Sequence, residues 1–351
     1  MRDDIAIISY AQSPTWRQSD LTEPQFLFPV ISEAIERSGI ERRQIGFTCA
    51  GSCDYLSGQT FAFVMNLEAV GAWPPISESH VEMDGAWALY EAWVRLQEGD
   101  IDSALVFGSG KSSPGAPAEV YPLQMDPYTL TPLGVDPVSI AALQARAMLD
   151  RGLITEREMA EVAARSRKAA KDNPYAQVSG DFDVEKLLTE PYVTAPLRRH
   201  DLPPISDGAT VVMLATAAKA KEVCERPVWI RGIDHRIEVH QPGSRDLTVS
   251  ESTRIAGERA GVGDAKVDVA ELSATFTHQE KILRQALGLG DDVDVNPSGG
   301  ALAANSVMAV GLARVAEAAR AIAERGAHRA VAHATSGQAL QQNLVAVLEG
   351  D

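Results

Sequence analysis

The 351-residue sequence contains little cysteine, few aromatic side chains and less positive than negative charge. Its three cysteines, Cys49, Cys53 and Cys224, are odd in number and lack the spacing of a zinc site or a disulfide framework, so we interpret them as small packed side chains. Lys and Arg number 32 against 48 for Asp and Glu. The net charge of −16 argues against a surface for nucleic acid or anionic membrane, although an anionic ligand would need only a local basic patch.

Long hydrophobic runs are also missing from the sequence. No apolar stretch approaches the length that spans a bilayer, and the apolar core of MRDDIAIISYAQ is too short for a signal peptide. We therefore expect no membrane span and a cytoplasmic location. A content of 45% hydrophobic and 23% charged residues is typical of a globular protein, and the length leaves two related domains or one large fold open.

Apolar segments of strand length alternate with helical patterns in the first 111 residues. Strands are predicted at 5–8, at 45–49, up to residue 83 and at 104–107, and helices at about 23–38, 61–70 and 85–97. The first helix is marked by a capping-box sequence, Thr22-Glu-Pro-Gln25, and by Gly39 at its end. This alternation indicates a largely parallel sheet that is covered by helices on both faces.

A change in amino-acid composition separates this first half from a second one. Residues 112–137 are too rich in proline for a central strand, and capping sequences then predict helices at 137–152 and 155–173. We interpret 112–204 as an inserted Pro-rich and helical loop subdomain. The first half, 1–111, would be completed by 205–224, and 225–351 would form the second half.

Two observations favour a duplication. Segment 95–110 has the same layout as segment 321–337, with a helix end, a Gly, a polar link, an apolar strand and a Gly-terminated turn. The helices before these strands, GAWALYEAWVRL and one from about Ala303 to Glu324, are too apolar to lie on a surface. We expect each half to bury one central helix against the other.

Several motifs resemble the thiolase superfamily: VDVAELSATFTHQE (267–280), VNPSGGALAANSVMAVG (295–311) and SDGA (206–209). The segments SHVEMDGAWALYEAW, GKSSPG and AHATSGQALQQNLV are more similar to its lipid-transfer-protein branch, which includes aldol lyases of sterol side-chain degradation. The resemblance covers nearly the whole chain. It implies an α/β fold of the thiolase type, with duplicated αβαβα layers and an inserted loop subdomain, and a homodimer.

The departures from the family pattern lie at its catalytic positions. The nucleophilic cysteine of thiolases falls on Glu82, three residues before Gly85, and the His or Asn of the second motif falls on Ser273. The His of the third motif falls near Asn305 or Ser306, and the second catalytic cysteine falls near His333 or Ala334. None of the three cysteines occupies either catalytic position, so chemistry through an acyl-cysteine is disfavoured.

Retro-aldol cleavage of a 3-hydroxyacyl-CoA uses the same thioester enolate without a covalent intermediate. The resemblance therefore implies an acyl-CoA substrate, with CoA as part of it, no tightly bound cofactor, no metal and a small OB-fold/zinc-ribbon partner protein. A binding subunit for lipid or acyl-CoA that has lost catalysis is the alternative. An acyltransferase that uses Cys53 is a third hypothesis.

The candidate catalytic residues are Glu82, Asp84, His333 and Asn305. Glu82 and Asp84 would supply a base at the start of a buried helix, although Asp84 before a Gly is equally a good N-cap. His333 would transfer a proton or would be a hydrogen-bonded core histidine. Asn305 would donate to the thioester oxygen or cap the long second helix. We expect these side chains to converge on one pocket beneath the inserted subdomain.

The candidate substrate-binding residues carry alternatives as well. Gly299 and Gly300 would allow a ligand to approach the backbone closely. His278 is predicted at a helix start, where an exposed position is the alternative. Arg198 and Arg199 would pair with a CoA phosphate or belong to a solvated loop. Ser273 is the remaining candidate, from its position in the second motif.

Overall fold

A computed structural model describes residues 4–58 and 60–350, and its first part is an alternation of strands and helices. The first helix begins where predicted, because the Gln25 side chain accepts a hydrogen bond from the Thr22 N–H at 2.8 Å, and it ends at Gly39, whose φ is 69°. The elements are β1 (Ile5–Gln12), α1 (Glu23–Ser38), β2 (Phe47–Gly51), α2 (Asp54–Ser57), α3 (Phe63–Val70), β3 (Glu78–Val81), α4 (Gly85–Leu96) and β4 (Ser103–Lys111).

The inserted segment is helical and carries a short hairpin. Its second long helix begins at a capping box, in which Thr155 and Glu158 exchange hydrogen bonds of 2.7 and 3.2 Å. The elements are α5 (Pro117–Val120), α6 (Pro137–Asp150), α7 (Glu156–Ala169), α8 (Val184–Leu188), β5 (Tyr192–Thr194) and β6 (Leu197–Arg198), followed by β7 (Asp207–Thr216) and α9 (Ala217–Val223). The exact ends of the inserted subdomain remain a prediction.

The rest of the chain repeats the first alternation. Its elements are β8 (Val228–Ile237), α10 (Glu251–Ala260), β9 (Val269–Leu272), α11 (Thr277–Ala286), β10 (Asp294–Val295), α12 (Gly300–Ala303), α13 (Val310–Arg325), β11 (Arg329–Ser336) and β12 (Gln342–Glu349). Within the described ranges, no helix is both long enough and apolar enough to cross a membrane.

The strand pairing is the same in both halves. Within the described part of the chain one ten-stranded sheet runs β10-β9-β11-β12-β8-β1-β7-β4-β2-β3. In each half the second strand lies parallel between the third and the fourth, and the fourth, fifth and first strands pair antiparallel. The two halves meet through their first strands, β1 and β8. The expected duplication is therefore visible as repeated topology.

Hydrophobic side chains divide the molecule into layers. Residues of α4 and α13 form one buried cluster with the inward faces of strands from both halves. A second cluster packs α1 on the outer face of the first half, and a third packs α6, α10 and α11 on the outer face of the second half. This arrangement is the expected αβαβα layering, with both central helices buried.

The second central helix differs from its prediction. Residues 303–324 do not form one long helix, because α12 ends at Ala303 and α13 begins only at Val310. The intervening loop, 304–309, contains Met308 with a φ of 74°. A left-handed non-Gly residue cannot continue a right-handed helix, so the chain turns there and starts α13 against the first half.

Candidate active site at the starts of the central helices

The carboxylate of Asp84 joins the starts of the two central helices. Its Oδ1 accepts hydrogen bonds from the N–H groups of Ala86 and Leu312, both at 2.9 Å, and its Oδ2 accepts one from the Gly311 N–H at 2.9 Å. Burial raises the pKa of Asp84, and the three backbone donors oppose that rise. Asp84 is thus the N-cap of α4 and caps α13 as well.

Glu82 lies two residues earlier, at the mouth of the same turn, and its side chain is exposed. Its Oε1 accepts a hydrogen bond from the Asp54 N–H at 2.5 Å, which draws the carboxylate toward the half-buried Cys53. Burial raises the pKa of the Cys53 thiol, and the negative charge of Glu82 raises it further. An exposed carboxylate and a protonated thiol therefore stand side by side before α4.

The loop between α12 and α13 lies against this turn. The carbonyl of Met308 accepts a hydrogen bond from the Gly85 N–H at 2.9 Å. Asn305 is half-buried, and its N–H donates to Ser206 Oγ at 3.1 Å. The helix-cap alternative for Asn305 is wrong, because the N-cap of α13 is Ala309. The Ser306 hydroxyl is buried and finds no hydrogen-bond partner among the described residues.

The β11–β12 turn, residues 337–341, reaches the same place from the second half. Gln342 Nε2 lies 3.7 Å from the sulfur of Met83, which connects the end of this turn to the Glu82–Asp84 segment. Ala339 and Leu340 have φ values of 49° and 59°. Two consecutive left-handed non-Gly residues cost about 1–2 kcal/mol each, so the surrounding structure must hold this conformation.

The Pro-rich part of the inserted subdomain covers this turn. Ala339 is buried in a small apolar cluster with Met125 and Ile140, against which Leu130 and Val135 pack. The starts of both central helices and the β11–β12 turn therefore come together beneath the inserted segment. An apolar roof of this kind suits the acyl chain of a ligand.

His333 does not lie with Glu82 and Asp84. It belongs to the outer face of the second half with Val331 and Val345, whereas Asp84 lies in the layer of central helices on the other face of the sheet. His333 is fully buried, and its Nε2 lies 3.0 Å from Asn343 Oδ1. Burial lowers the pKa of His333 to about 4, so the ring is neutral at pH 7. The expected convergence of His333 with Glu82 or Asp84 is not present.

The tautomer of His333 follows from its partner. The Asn343 amide N–H₂ donates to the Leu340 carbonyl at 2.8 Å and to Ser252 Oγ at 2.7 Å. Asn343 Oδ1 is consequently an acceptor, and His333 must carry its proton on Nε2. His333 Nδ1 is left without a partner among the described residues. His333 thus supports the β11–β12 turn through Asn343.

Ser273 and His278 are both completely buried. The alternative of an exposed His278 is therefore wrong. Its Nε2 lies 3.1 Å from Gln144 Oε1, its Nδ1 has no partner among the described residues, and burial lowers its pKa to about 3. The Ser273 N–H donates to the His333 carbonyl at 3.1 Å, and its hydroxyl lacks a partner within the described part of the chain.

Gly299 and Gly300 meet protein rather than open space. Their φ values are 95° and 62°, and the Gly299 carbonyl accepts a hydrogen bond from Ser166 on α7. A Cβ at Gly299 would lie 2.6 Å from the Cβ of Ala170, and one at Gly300 would lie 2.8 Å from the Asn296 side chain. Close packing and left-handed backbone account for both glycines, so a role in ligand contact stays a prediction.

Arg198 and Arg199 have different surroundings. Arg198 forms an ion pair with Glu156 and lies over the Tyr192 ring at 4.2 Å, within the inserted subdomain. Arg199 is exposed. Arg198 is therefore already neutralised by protein groups, and Arg199 has the freer guanidinium for a phosphate. Their binding to CoA stays a prediction.

Sequence reasoning missed a buried ion pair behind the site. Arg314 on α13 donates to Glu271 Oε2 and to Ser298 Oγ, both at 2.6 Å. Burial raises the pKa of Glu271, and the charge of Arg314 opposes that rise. The available signal was the charge of Arg314 in a helix too apolar for the surface, since a buried charge requires a partner.

The comparisons with known proteins agree with this architecture. No family model matches the chain. An acetyl-CoA acetyltransferase of Methanocaldococcus jannaschii is 28% identical over 351 residues, which cover 90% of this chain and 88% of that protein. A 17-hydroxy-3-oxo-4-pregnene-20-carboxyl-CoA lyase of Mycobacterium tuberculosis is 30% identical over 95 residues, 27% of this chain and 25% of the lyase.

Among solved structures, an Ltp2-ChsH2(DUF35) aldolase superposes with a TM-score of 0.84 at 19% identity, over 99% of this chain and 98% of that one. A likeness at this identity establishes the fold. The long alignment with the acetyltransferase adds a relationship in sequence. The fold of this protein is therefore thiolase-like, and its sequence relatives support a place for the chain in the thiolase superfamily.

Proposed function

We propose that this protein is an aldol lyase that binds a bulky, sterol-like 3-hydroxyacyl-CoA and cleaves it by a retro-aldol reaction. The observation that carries the proposal is the exposed carboxylate of Glu82. It stands in the turn before the first central helix, where thiolases have their nucleophilic cysteine. A carboxylate there can take up a proton, and the family's enolate chemistry then needs no acyl-enzyme.

The reaction requires one base and one set of oxyanion donors. The carboxylate of Glu82 takes the proton of the 3-hydroxyl group as the C2–C3 bond breaks, and a ketone or aldehyde forms at C3. The electron pair of that bond moves into the thioester as an enolate. The proton then returns to C2, which releases the shortened acyl-CoA. Atoms and charge balance without an oxidant or a metal.

The geometry favours Glu82 over the other candidate bases. Within the described part of the chain, the hydrogen bonds of the Asp84 carboxylate go to the starts of the two central helices, so Asp84 holds the turn in place. His333 lies on the outer face of the sheet and supports the β11–β12 turn through Asn343. The N–H groups of Ala339 and Leu340 are the candidate donors to a thioester oxygen, because the carbonyls of the same two peptide units accept hydrogen bonds from Arg245 on the opposite side.

The test is turnover of a 3-hydroxyacyl-CoA by the wild type and by Glu82→Gln, with detection of the carbonyl product and the shortened acyl-CoA. Removing a general base lowers turnover by about 10²–10⁴-fold, and Gln keeps the shape of the side chain. Glu78→Gln, on β3 four residues earlier, is the matched control and should cleave normally.

Undiminished cleavage by Glu82→Gln would exclude Glu82 as the base. Tight binding of acyl-CoA without cleavage by the wild type would instead favour a non-catalytic binding subunit. Such a subunit is the alternative among the three hypotheses that needs no catalytic group at all.

An acyltransferase that uses Cys53 is the third hypothesis, and the similarity of the acetyltransferase relative over most of the chain favours it. The raised pKa of the Cys53 thiol opposes this function, since the thiolate is the nucleophile. Incubation with acetyl-CoA followed by mass spectrometry distinguishes the two. A stable acyl group on Cys53 that is lost in Cys53→Ser would favour transfer over cleavage.

We also propose a homodimer and a small OB-fold/zinc-ribbon partner. Among the described residues β3 is the last strand at one end of the sheet, and its outer edge pairs with no other strand, so a second copy would cover this edge. The name of the similar aldolase structure contains a second component, ChsH2(DUF35). Sedimentation as a monomer at micromolar concentration would contradict the dimer, and co-purification from the native source tests the partner.

A further inference from the structure

The carbonyl groups of residues 338–341 in the β11–β12 turn all accept hydrogen bonds from protein donors. Arg245 donates to the Gln338 carbonyl at 2.7 Å through one guanidinium nitrogen and to the Ala339 carbonyl at 2.9 Å through the other. Asn343 donates to the Leu340 carbonyl at 2.8 Å, and the Glu238 N–H donates to the Gln341 carbonyl at 2.8 Å. Four successive carbonyls, from Gln338 to Gln341, are therefore held by hydrogen bonds.

The positions of these carbonyls determine the direction of the amide N–H groups. In a trans peptide unit the C=O and the following N–H point in opposite directions. When the carbonyls of Gln338 and Ala339 face Arg245, the N–H groups of Ala339 and Leu340 face away from it. The left-handed φ values of these two residues are unfavourable, so contacts with residues beyond the turn must maintain its conformation.

Arg245 is suited to this task by its burial and its charge. It is only 7% exposed, and its Nε has no partner among the described residues. Its nearest carboxylate, Glu238, is 3.5 Å away and also accepts hydrogen bonds from the N–H and the hydroxyl of Ser252, at 3.0 and 2.6 Å. The hydrogen bonds of Arg245 to the two carbonyls are shorter than its contact with Glu238, and its positive charge polarises the two peptide units.

We propose that Arg245 is a positioning residue: its guanidinium holds the β11–β12 turn in the conformation in which the N–H groups of Ala339 and Leu340 receive the thioester oxygen. This inference rests on the proposed function, because those donors stabilise the enolate only if an acyl-CoA is the substrate. Arg245 touches neither substrate nor reacting atoms and acts through the turn. Gln144, 3.5 Å from the Ala339 carbonyl, supports the same turn more weakly.

The test compares Arg245→Ala with the wild type in steady-state cleavage of a 3-hydroxyacyl-CoA. Loss of a preorganised oxyanion donor lowers kcat by about 10²–10³-fold. We expect a fall of about 100-fold in kcat, with KM changed less than threefold. Added guanidinium ion should restore at least about tenfold of the lost kcat by occupying the vacated site. An unchanged kcat, or a loss of activity that guanidinium does not restore, overturns the proposal.

Two further variants keep the test decisive if Arg245→Ala does not fold. Arg245→Lys keeps the charge but cannot bridge two carbonyls with a planar fork, so kcat should fall by about tenfold at constant KM. Arg254→Ala is the control, because Arg254 is an exposed arginine on α10 that pairs only with Glu251 and Glu258 among the described residues, and its kcat should stay at the wild-type value. A wild-type kcat in Arg245→Lys contradicts the proposal.

Failure of the proposed function can be told apart from failure of this inference. If the wild type cleaves no acyl-CoA, the infrared C=O stretch of a bound ¹³C-labelled thioester still reports on the donors. A lower frequency in the wild type than in Arg245→Lys supports the role of Arg245 without catalysis. The same frequency in both proteins overturns it.

Discussion

The two central helices are equivalent in the repeated fold, but they begin in different ways. α4 starts directly after the turn that follows β3, and its own Asp84 caps it. α13 starts at Val310, after a short helix and a loop, and its N-cap residue Ala309 offers no side-chain cap. Its second and third N–H groups, on Gly311 and Leu312, donate to the same Asp84. One carboxylate of the first half thus serves both halves and fixes the site between them.

A second contrast concerns the outer faces of the two halves. Phe107 and His333 occupy corresponding places in the fourth strand of each half, opposite Val211 and Val345. Phe107 packs in an apolar cluster, whereas His333 begins a polar network that reaches Leu340 through Asn343. The second half has exchanged apolar packing for polar support of its turn.

The largest effect should come from breaking the shared cap. Asp84→Ala leaves three buried N–H groups without their acceptor, each at a cost of about 1–3 kcal/mol, and we expect the free energy of unfolding to fall by about 3–5 kcal/mol. Asp136→Ala removes an N-cap that accepts from Ser139 at 2.7 Å, and should cost only about 1 kcal/mol. Urea denaturation measures both, and equal losses would show that Asp84 caps one helix only.

Single substitutions at Phe107 and at His333 test the second contrast. Phe107→His puts an imidazole without a partner into an apolar cluster and should lower the free energy of unfolding by about 3 kcal/mol. His333→Phe leaves Asn343 Oδ1 unpaired and should cost about 1–2 kcal/mol. The denaturant midpoints of the two variants are compared at pH 8, where His333 and the imidazole introduced by Phe107→His are neutral. A smaller loss in Phe107→His than in His333→Phe would contradict it.

The third prediction is a dependence of stability on pH. The pKa values of His278 and His333 are lowered in the folded state, to about 3 and about 4, so the unfolded chain binds protons that the native state does not. Stability should therefore fall as pH decreases from about 6.5 toward 4, by about 1.4 kcal/mol per pH unit for each histidine. His333→Phe should remove the contribution of one histidine to the pH dependence of the free energy of unfolding. An unchanged pH dependence would show that the protons bound on unfolding go to other groups.

Much of the fold could be predicted from local patterns. Capping boxes at Thr22 and Thr155 mark helix starts, and the apolar residues of GAWALYEAWVRL indicate a buried helix, because these signals depend on neighbouring residues along the chain. The break at 304–309 was not predictable, since Asn305 and Ser306 resemble a helix cap. The chain turns there because Met308 meets Gly85 of the other half, a contact between distant residues.

The sequence by itself determined the alternation of strands and helices, the duplication and the absence of cysteine from the turn before the first central helix. Only the tertiary structure decided which of the two acids is exposed and which is buried. In the sequence Asp84 and Glu82 are both candidate bases. In the structure the Asp84 carboxylate accepts hydrogen bonds from three N–H groups, and two of these belong to residues 227 and 228 positions away. The same holds for His333 and Arg245. Their roles depend on partners brought together by strand pairing, and a hydrogen-bonded partner, not residue type, determines whether a buried polar group remains available for chemistry.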